Sequence, residues 1–194
     1  MTRIISGLAG GRRISTPPGG ATRPTSERGR EALFSRLEHL DVVHQATVLD
    51  LYAGSGALGL EAASRGATSV LLVESDWAAV AVLRKNIAEL GLPRVSVRAD
   101  TVERALLGGP ASDDGRCDLV LADPPYDVTD EALGEVLTLL VAHEWLSEDA
   151  FVVVERSARS PEPRWPQRLD GAGERRYSDT KMWFADFAAP RGVA

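Results

Sequence analysis

The 194-residue sequence is poor in several residue types, and each shortage excludes a class of protein. A single cysteine, Cys117, excludes an internal disulfide and a cysteine-rich zinc site. The apolar runs, such as 70–73 and 151–154, are far shorter than the roughly 20 residues that span a bilayer. Residues 1–13 contain no apolar segment long enough for a signal peptide. We therefore expect a cytoplasmic protein with no membrane partner and no bound metal.

Lysine is scarce too, and the charge is unevenly distributed. The chain has 22 Lys+Arg against 28 Asp+Glu, a net charge of −6, which taken alone argues against a nucleic-acid partner. Residues 1–36 nevertheless contain seven arginines and two acids, a net charge of +5 that leaves −11 for residues 37–194. Charge alone leaves two interpretations open: a basic arm for a polyanionic partner, or a solvated surface in an arginine-rich protein.

Hydrophobic content of 44% and charged content of 26% are typical of a globular chain, and the length suits one domain. Apolar runs predict strands over 46–52, 69–74, 95–99, 117–122 and 150–155. Helical spacing or helix-terminating glycines predict helices over 57–65, 77–90, 102–107 and 130–143. This alternation predicts an α/β fold with a mainly parallel sheet, closed by an antiparallel hairpin over 174–178 and 181–188.

The N-terminal region precedes this α/β alternation and is predicted to form a hairpin and a helix of its own. Residues 3–6 and 12–16 flank glycines and predict a small, exposed hairpin. A helix is expected from about Ser26 to Leu40, with Leu33, Leu37 and Leu40 on one face.

A glycine-rich loop follows the first central strand. Its glycines, Gly54, Gly56 and Gly59, fit G-x-G-x-x-G, and Glu74 ends the next strand 20 residues after Gly54. This pattern is typical of dinucleotide sites, although tight strand-to-helix turns need glycine even without a ligand. Asp50 would place negative charge beside a pyrophosphate, so it favours a cofactor with an ammonium and a sulfonium, such as S-adenosylmethionine.

Acids also follow the neighbouring strands. Glu74 can accept hydrogen bonds from ribose hydroxyls, and Asp100, after the third strand, can accept one from an adenine amine. Each has an alternative structural role: Asp50 as a turn acceptor, Glu74 as a helix-leading acid and Asp100 as a helix cap. Ligands of open α/β sheets bind at the carboxyl ends of the strands, which favours a shared site.

The fourth strand runs into Asp123-Pro124-Pro125-Tyr126. Consecutive prolines form a rigid strand exit and remove amide donors, so their carbonyls point outward as acceptors. With the Asp123 carboxylate and the aromatic face of Tyr126, they suit an exocyclic amine on a flat ring. Such an amine is a weak nucleophile, so the protein contributes orientation and polarisation.

The tetrapeptide and the glycine loop resemble those of the Asp/Asn-Pro-Pro-Tyr amino-methyltransferases, which use S-adenosylmethionine. Further segments are similar to one bacterial group, the 16S rRNA guanine-N2 methyltransferases that modify guanine 966: residues 3–7, 11–14, 23–34 and 48–66. The resemblance covers nearly the whole chain, and its most visible departure is Ser178, where glycine is expected.

The resemblance implies a Rossmann-like class I methyltransferase with a seven-stranded sheet, and a residue set for each part of its site. The catalytic residues would be Asp123, Pro124, Pro125 and Tyr126. The cofactor would be bound by Asp50, Tyr52, Gly54, Gly56, Glu74 and Asp100. The RNA would be contacted by Arg3, Arg12, Arg13, Arg23 and Arg28.

The same resemblance implies an organisation and a partner. Residues 1–40 would form a basic RNA-binding extension and residues 41–190 the methyltransferase domain of a monomer. The substrate would be 16S rRNA within an assembling or assembled small ribosomal subunit, and the cofactor product would be S-adenosylhomocysteine.

Three other functions compete with this prediction. An adenine-N6 or cytosine-N4 amino-methyltransferase acting on DNA or RNA would share the cofactor. A dinucleotide-dependent oxidoreductase would use the glycine loop and Glu74, but it leaves the tetrapeptide unexplained. A non-catalytic RNA-binding protein could retain the pocket.

Overall fold

A computed structural model describes residues 2–17, 27–111, 115–177 and 179–188. The strands are β1 (Thr2–Arg3), β2 (Arg13–Ile14), β3 (Thr47–Leu51), β4 (Ser69–Glu74), β5 (Val95–Ala99), β6 (Cys117–Ala122), β7 (Leu146–Ser157), β8 (Leu169–Tyr177) and β9 (Thr180–Phe187). The helices are α1 (Glu27–His39), α2 (Ala57–Ser64), α3 (Trp77–Leu90), α4 (Val102–Leu107) and α5 (Asp130–Ala142).

Seven strands form one sheet in the order β5-β4-β3-β6-β7-β9-β8. Strands β5, β4, β3, β6 and β7 run parallel to one another. Strand β9 is antiparallel to both β7 and β8. The predicted α/β sheet with an antiparallel C-terminal hairpin is therefore confirmed. Strand β8 begins at Leu169, five residues before the predicted start of the hairpin at residue 174. Strand β7 begins at Leu146, four residues before its predicted start at Ala150.

Hydrophobic side chains cover both faces of this sheet, because successive residues of a strand point to opposite sides. Val48 of β3 belongs to the cluster on one face and Leu49 to the cluster on the other. In β9, Trp183 and Phe184 likewise lie in different clusters, as predicted. The apolar runs in the sequence therefore form strands that are buried on both faces of the sheet.

Local capping explains why the predicted helix ends agree closely with the observed ones. The Asp76 side chain accepts a hydrogen bond from Ala79 N at 2.8 Å and begins α3, and Gly91, with φ of 64°, ends it. Thr129 caps α5 in the same way through Ala132 N at 3.2 Å.

The N-terminal hairpin is packed against the body, so the prediction that it is exposed is wrong. β1 and β2 pair antiparallel, with Thr2 opposite Ile14. Ile4, Ala9 and Ile14 are at most 1% exposed and belong to the same cluster as residues of α1 and α2. Leu40 was also misplaced: it lies beyond the end of α1 and is 41% exposed.

A buried carboxylate holds this hairpin in place. Glu61 of α2 is fully buried, and its two oxygens accept hydrogen bonds from Ile5 N at 2.8 Å and Ser6 N at 3.0 Å. It also pairs with Arg65 Nε at 2.8 Å and lies 3.6 Å from Nε of the fully buried Arg30. Burial lowers the pKa of Arg30, and the charge of Glu61 opposes that change.

A second buried side chain links the hairpin to the glycine loop. Asn86 of α3 accepts a hydrogen bond from Ser15 N at 2.8 Å and donates to Ser15 O at 3.0 Å. It also donates to Ser55 O in the loop at 2.9 Å. The division into residues 1–40 and 41–190 remains a prediction, and these contacts show that the two parts share one core.

Replacing Glu61 by Gln should destabilise the protein by about 3–5 kcal/mol, because the fully buried guanidinium group of Arg30 would lose the counter-charge beside it. Arg65 would lose one of its three carboxylate partners and keep Glu31 and Glu38. An amide NH2 would also face the Ile5 or Ser6 N–H group. Urea unfolding measures the change. The matched control is Glu148→Gln in the exposed part of β7, for which we expect a change within about 0.5 kcal/mol; equal stabilities for the two variants would contradict this account.

Candidate active site

The predicted acids meet at the carboxyl edge of the sheet because the strands that carry them are paired in parallel. Leu51 of β3 is opposite Val73 of β4 and Ala122 of β6. Glu74 is opposite Ala99, and Ala122 is opposite Val154. The residues that follow these positions, together with Glu74 itself, therefore lie along one edge of the sheet.

Three backbone N–H groups of the glycine loop donate hydrogen bonds to other groups of the protein. Gly54 N donates to Glu74 Oε2 at 2.8 Å, and Gly56 N donates to Ala53 O at 2.7 Å. Gly59 N donates to Asp50 Oδ2 at 2.8 Å. A pyrophosphate site needs such groups to point at the ligand, so this loop fits a dinucleotide poorly.

Close packing requires the glycines of this loop, and one of them leaves room for a ligand. A Cβ on Gly56, where φ is 81°, would lie 2.7 Å from Leu83 Cδ2, and one on Gly59 would lie 2.3 Å from Leu72 Cδ2. At Gly54, with φ of 55°, the nearest atom to a Cβ would be Tyr52 O at 3.9 Å. The loop is therefore packed underneath and open above Gly54.

Asp50 is 1% exposed, and burial raises its pKa to about 7. Burial is the main cause of this pKa shift; the hydrogen bond from Gly59 opposes it, and the nearby charge of Glu74 adds to it. Asp50 thus acts as the turn acceptor that was considered as its structural alternative. A cationic ligand above the loop would favour its ionised form, so the two roles are compatible.

Glu74 and Asp100 are half-buried at the ends of β4 and β5. Glu74 Oε1 accepts hydrogen bonds from Ser75 N and Asp76 N, both at 2.8 Å. Asp100 pairs with Arg104 Nε at 3.4 Å, and it is Thr101 that caps α4. Asp100 is therefore not the cap of that helix.

The predicted cofactor residue Tyr52 adopts a left-handed backbone conformation, with φ of 62°. Its side chain packs against one core cluster, and its buried hydroxyl has no hydrogen-bond partner among the described residues. Burial raises the pKa of Tyr52 to about 12, assisted by the charge of Glu103 and opposed by that of Arg156.

The Asp123-Pro124-Pro125-Tyr126 segment leaves β6 as a rigid turn. Pro125 O accepts a hydrogen bond from Val128 N at 3.1 Å, whereas the carbonyl of the buried Pro124 has no partner among the described residues. Tyr126 is 62% exposed. The segment therefore offers one open carbonyl, one carboxylate and one free aromatic face, as an amine on a flat ring requires.

A pocket opens beside Asp123, and residues of two other strands complete its wall. It is lined by Asp123, Pro124, Tyr126, Glu155, Arg156, Ser157, Ser160 and Thr180. The last five were missed by the sequence analysis. Glu155 could have been found, because it follows the apolar run 151–154 as the other acids follow theirs.

The electrostatics of this pocket favour a proton on Asp123. Burial raises the pKa of Asp123 well above its usual range, and the charges of Glu155 and Asp50 raise it further. An acid with a raised pKa is a stronger base once ionised, so Asp123 is suited to take up a proton.

The predicted RNA-binding arginines have different surroundings. Arg3 pairs with Glu27 at 3.1 Å, and Arg13 is exposed at the rim of a groove shared with these two residues. Arg12 donates to the carbonyl oxygens of Glu89 and of Leu90, the latter at 2.8 Å, where α3 ends.

Two arginines of the predicted set remain. Arg28 is exposed and has no side-chain partner among the described residues. Arg23 lies outside the described residues, as does Ser178. Arg12 is thus committed to a helix end, and Arg28 is the arginine most available to a ligand.

The fold and the site define an S-adenosylmethionine-dependent methyltransferase. The family model "Conserved hypothetical protein 95" matches residues 2–186. "Ribosomal RNA small subunit methyltransferase D" of Escherichia coli (strain K12) is 38% identical over 166 residues, 84% of this chain and 79% of the relative. The chain therefore belongs to this family.

Solved structures agree with that assignment. The structure of yhhF from Escherichia coli is 31% identical, has a TM-score of 0.84 and covers 97% of this chain and 98% of its own. SMU.776, a structure in complex with SAH, has a TM-score of 0.63 over 79% of this chain and 49% of its own. At 15% identity, the second shows a likeness of fold alone. The predicted family and fold class are confirmed.

The described residues contain neither a metal-ligand cluster nor a helix that could span a membrane. Within these ranges, no three or more His, Cys, Asp or Glu side chains are grouped as metal ligands. No helix in the described part of the chain is long and apolar enough to cross a membrane.

The raised pKa of Asp50 predicts a loss of stability as pH rises. The folded state keeps the Asp50 proton up to about pH 7, whereas an unfolded chain releases it near pH 4. Between these values the unfolded state binds fewer protons, so the free energy of unfolding falls as pH rises.

The variant Asp50→Asn keeps an oxygen for Gly59 N but cannot titrate. Relative to this variant, the wild-type protein should lose roughly 3–4 kcal/mol of stability between about pH 4 and pH 7. Chemical denaturation of both proteins at several pH values gives the difference. A difference that does not change with pH would show that Asp50 is ionised throughout.

Proposed function

We propose that this protein transfers a methyl group from S-adenosylmethionine to the N2 amine of guanine 966 in 16S rRNA of the small ribosomal subunit. The observation that carries the proposal is that the Asp123 carboxylate and the Pro124 carbonyl, two hydrogen-bond acceptors, belong to one pocket with the exposed Tyr126 ring. The name of the Escherichia coli relative, a small-subunit methyltransferase, supports rRNA as the substrate.

The donor set at this edge of the sheet fits the cofactor. Its acids suit a ligand with an ammonium and a sulfonium, and its loop N–H groups are used internally. When bound, the cofactor supplies an electrophilic methyl group on sulfur. In our proposal the residues that hold it are Asp50, Tyr52, Gly54 and Gly56 at the methionine end, Glu74 at the ribose and Asp100 at the adenine.

Asp123 and Pro124 would act on the guanine amine. Their oxygens accept its two hydrogens, which orients the nitrogen and raises electron density on it. Held by the residues named above, the cofactor would supply its methyl group to N2, so that the N2–CH3 bond would replace the S–CH3 bond, whose electron pair would stay on sulfur. The amine proton becomes acidic only after attack, so Asp123, with its raised pKa, or a water molecule takes it late.

The base must leave its stack to reach this pocket, at a cost of a few kcal/mol. Stacking on Tyr126 would return about 1–3 kcal/mol. Arg3, Arg13, Arg23 and Arg28 of the N-terminal extension would contact phosphates, whereas Arg12 positions the extension. We further propose that the protein acts in the cytoplasm as a monomer.

Mass mapping of the modified nucleotide tests the chemistry directly. Small-subunit particles incubated with labelled S-adenosylmethionine should gain one methyl group, at N2 of guanine 966. Asp123→Ala should lower the rate by about 100-fold or more, because it removes the acceptor that orients and polarises the amine.

The matched control is Asp127→Ala, a change at an exposed aspartate in the same turn, which should leave the rate unchanged. Calorimetry should show that both variants still bind the cofactor. A methyl group found on adenine or cytosine, or on DNA, would contradict the guanine assignment.

Arg28→Ala tests the RNA surface. The change should weaken binding to a 16S rRNA fragment and reduce the log–log salt dependence of the binding constant by about 0.7, the value for one phosphate on a single strand. The control is Arg84→Ala, an exposed arginine of α3 on the body. Equal effects of the two changes would show that the N-terminal extension has no special part in RNA binding.

A further inference from the structure

Glu155 lies next to Asp123 at the carboxyl edge of the sheet. Ala122 of β6 is paired in parallel with Val154 of β7, so the residues that follow, Asp123 and Glu155, stand side by side. Both line the same pocket, and Glu155 is 5% exposed. The amine-binding carboxylate thus has a second carboxylate as its neighbour.

The adjacent arginine of this strand is directed elsewhere. Arg156 donates to Val128 O and to Asp130 Oδ1, both at 2.9 Å, and so ties β7 to the start of α5. The remaining polar side chains of the pocket are hydroxyls, Ser157, Ser160 and Thr180. The pocket therefore combines two carboxylates, which accept hydrogen bonds when ionised, with hydroxyls that either accept or donate them.

The three amine-bearing bases differ at the ring nitrogen beside the amine. In guanine this nitrogen, N1, carries a hydrogen, so the edge presents a donor next to the N2 donors. In adenine and cytosine the corresponding ring nitrogen is an acceptor. Two adjacent carboxylates match the guanine edge and repel the other two, and a buried acceptor left unpaired is costly.

We propose that Glu155 accepts the hydrogen of guanine N1 while Asp123 holds the N2 amine, which makes Glu155 the residue that selects guanine over adenine and cytosine. The inference rests on the proposed function and deepens it. The effect of Glu155 on the pKa of Asp123 supports their proximity. Glu155 would act as a specificity residue that contacts a part of the base that does not react.

The test uses 2-aminopurine, which keeps the 2-amine but has an acceptor at N1. Small-subunit particles are reconstituted with 16S rRNA that carries guanine, 2-aminopurine or adenine at the target position. The wild-type protein should methylate guanine at least about 100-fold faster than 2-aminopurine. Equal rates on these two bases would overturn the inference without any variant.

Glu155→Gln should reduce that preference to within about 10-fold, because a rotated amide can donate to the N1 acceptor. Glu155→Asp keeps a carboxylate and should retain the guanine preference at a lower rate. The matched control is Glu148→Gln, an exposed change in the same strand, which should leave rate and preference unchanged.

The ratio of the two rates separates this role from a structural one, since a merely destabilised protein loses both rates together. If the wild-type protein methylates guanine but Glu155→Gln keeps the full preference, the inference fails and the proposed function stands. If the wild-type protein does not methylate guanine, both fail.

Discussion

Parallel pairing of five strands is the constraint on which the rest of the molecule depends. Because β3 lies between β4 and β6, the segments that leave these strands emerge at one edge of the sheet, which brings together the glycine loop, Glu74 and the Asp123 turn. The strands are buried on both faces, so polar groups at their ends are only partly reached by water. The same arrangement that builds the core therefore builds an acidic, poorly solvated site.

Such a site has a cost for the free protein. Burial raises the pKa values of Asp50 and Asp123, so the folded state disfavours their ionised forms. In the proposed function, a positively charged cofactor and an amine substrate would reverse this preference, since both interact best with ionised carboxylates. Electrostatic strain in the free protein and complementarity to the ligands are thus two consequences of one geometry.

Sequence reasoning located the elements that depend on local pattern and missed those that depend on tertiary contact. Continuous apolar runs identified β4, β5 and β6 at their observed bounds. The Asp123-Pro124-Pro125-Tyr126 motif predicted an amine site, and the structure places it at the exit of β6 beside a pocket. Glu61 gave no signal, because its partners Ile5 and Ser6 are more than 50 residues away. Glu155 follows an apolar strand run, as the other site acids do, but no motif surrounds it, so the sequence predicts only a strand residue there.

The charge asymmetry has a different meaning in the folded protein. Of the arginines in residues 1–36, Arg30 is buried beside Glu61, and Arg12 closes the end of α3. Part of the positive charge therefore attaches the N-terminal extension to the body. The pattern of residues 3–6 and 12–16 around glycines predicted an exposed hairpin, yet Ile4 and Ile14 are buried in the core. In the described part of the extension, Arg3, Arg13 and Arg28 have a defined position relative to the pocket. A bound RNA strand would therefore contact these arginines through its phosphates while its target base entered the pocket.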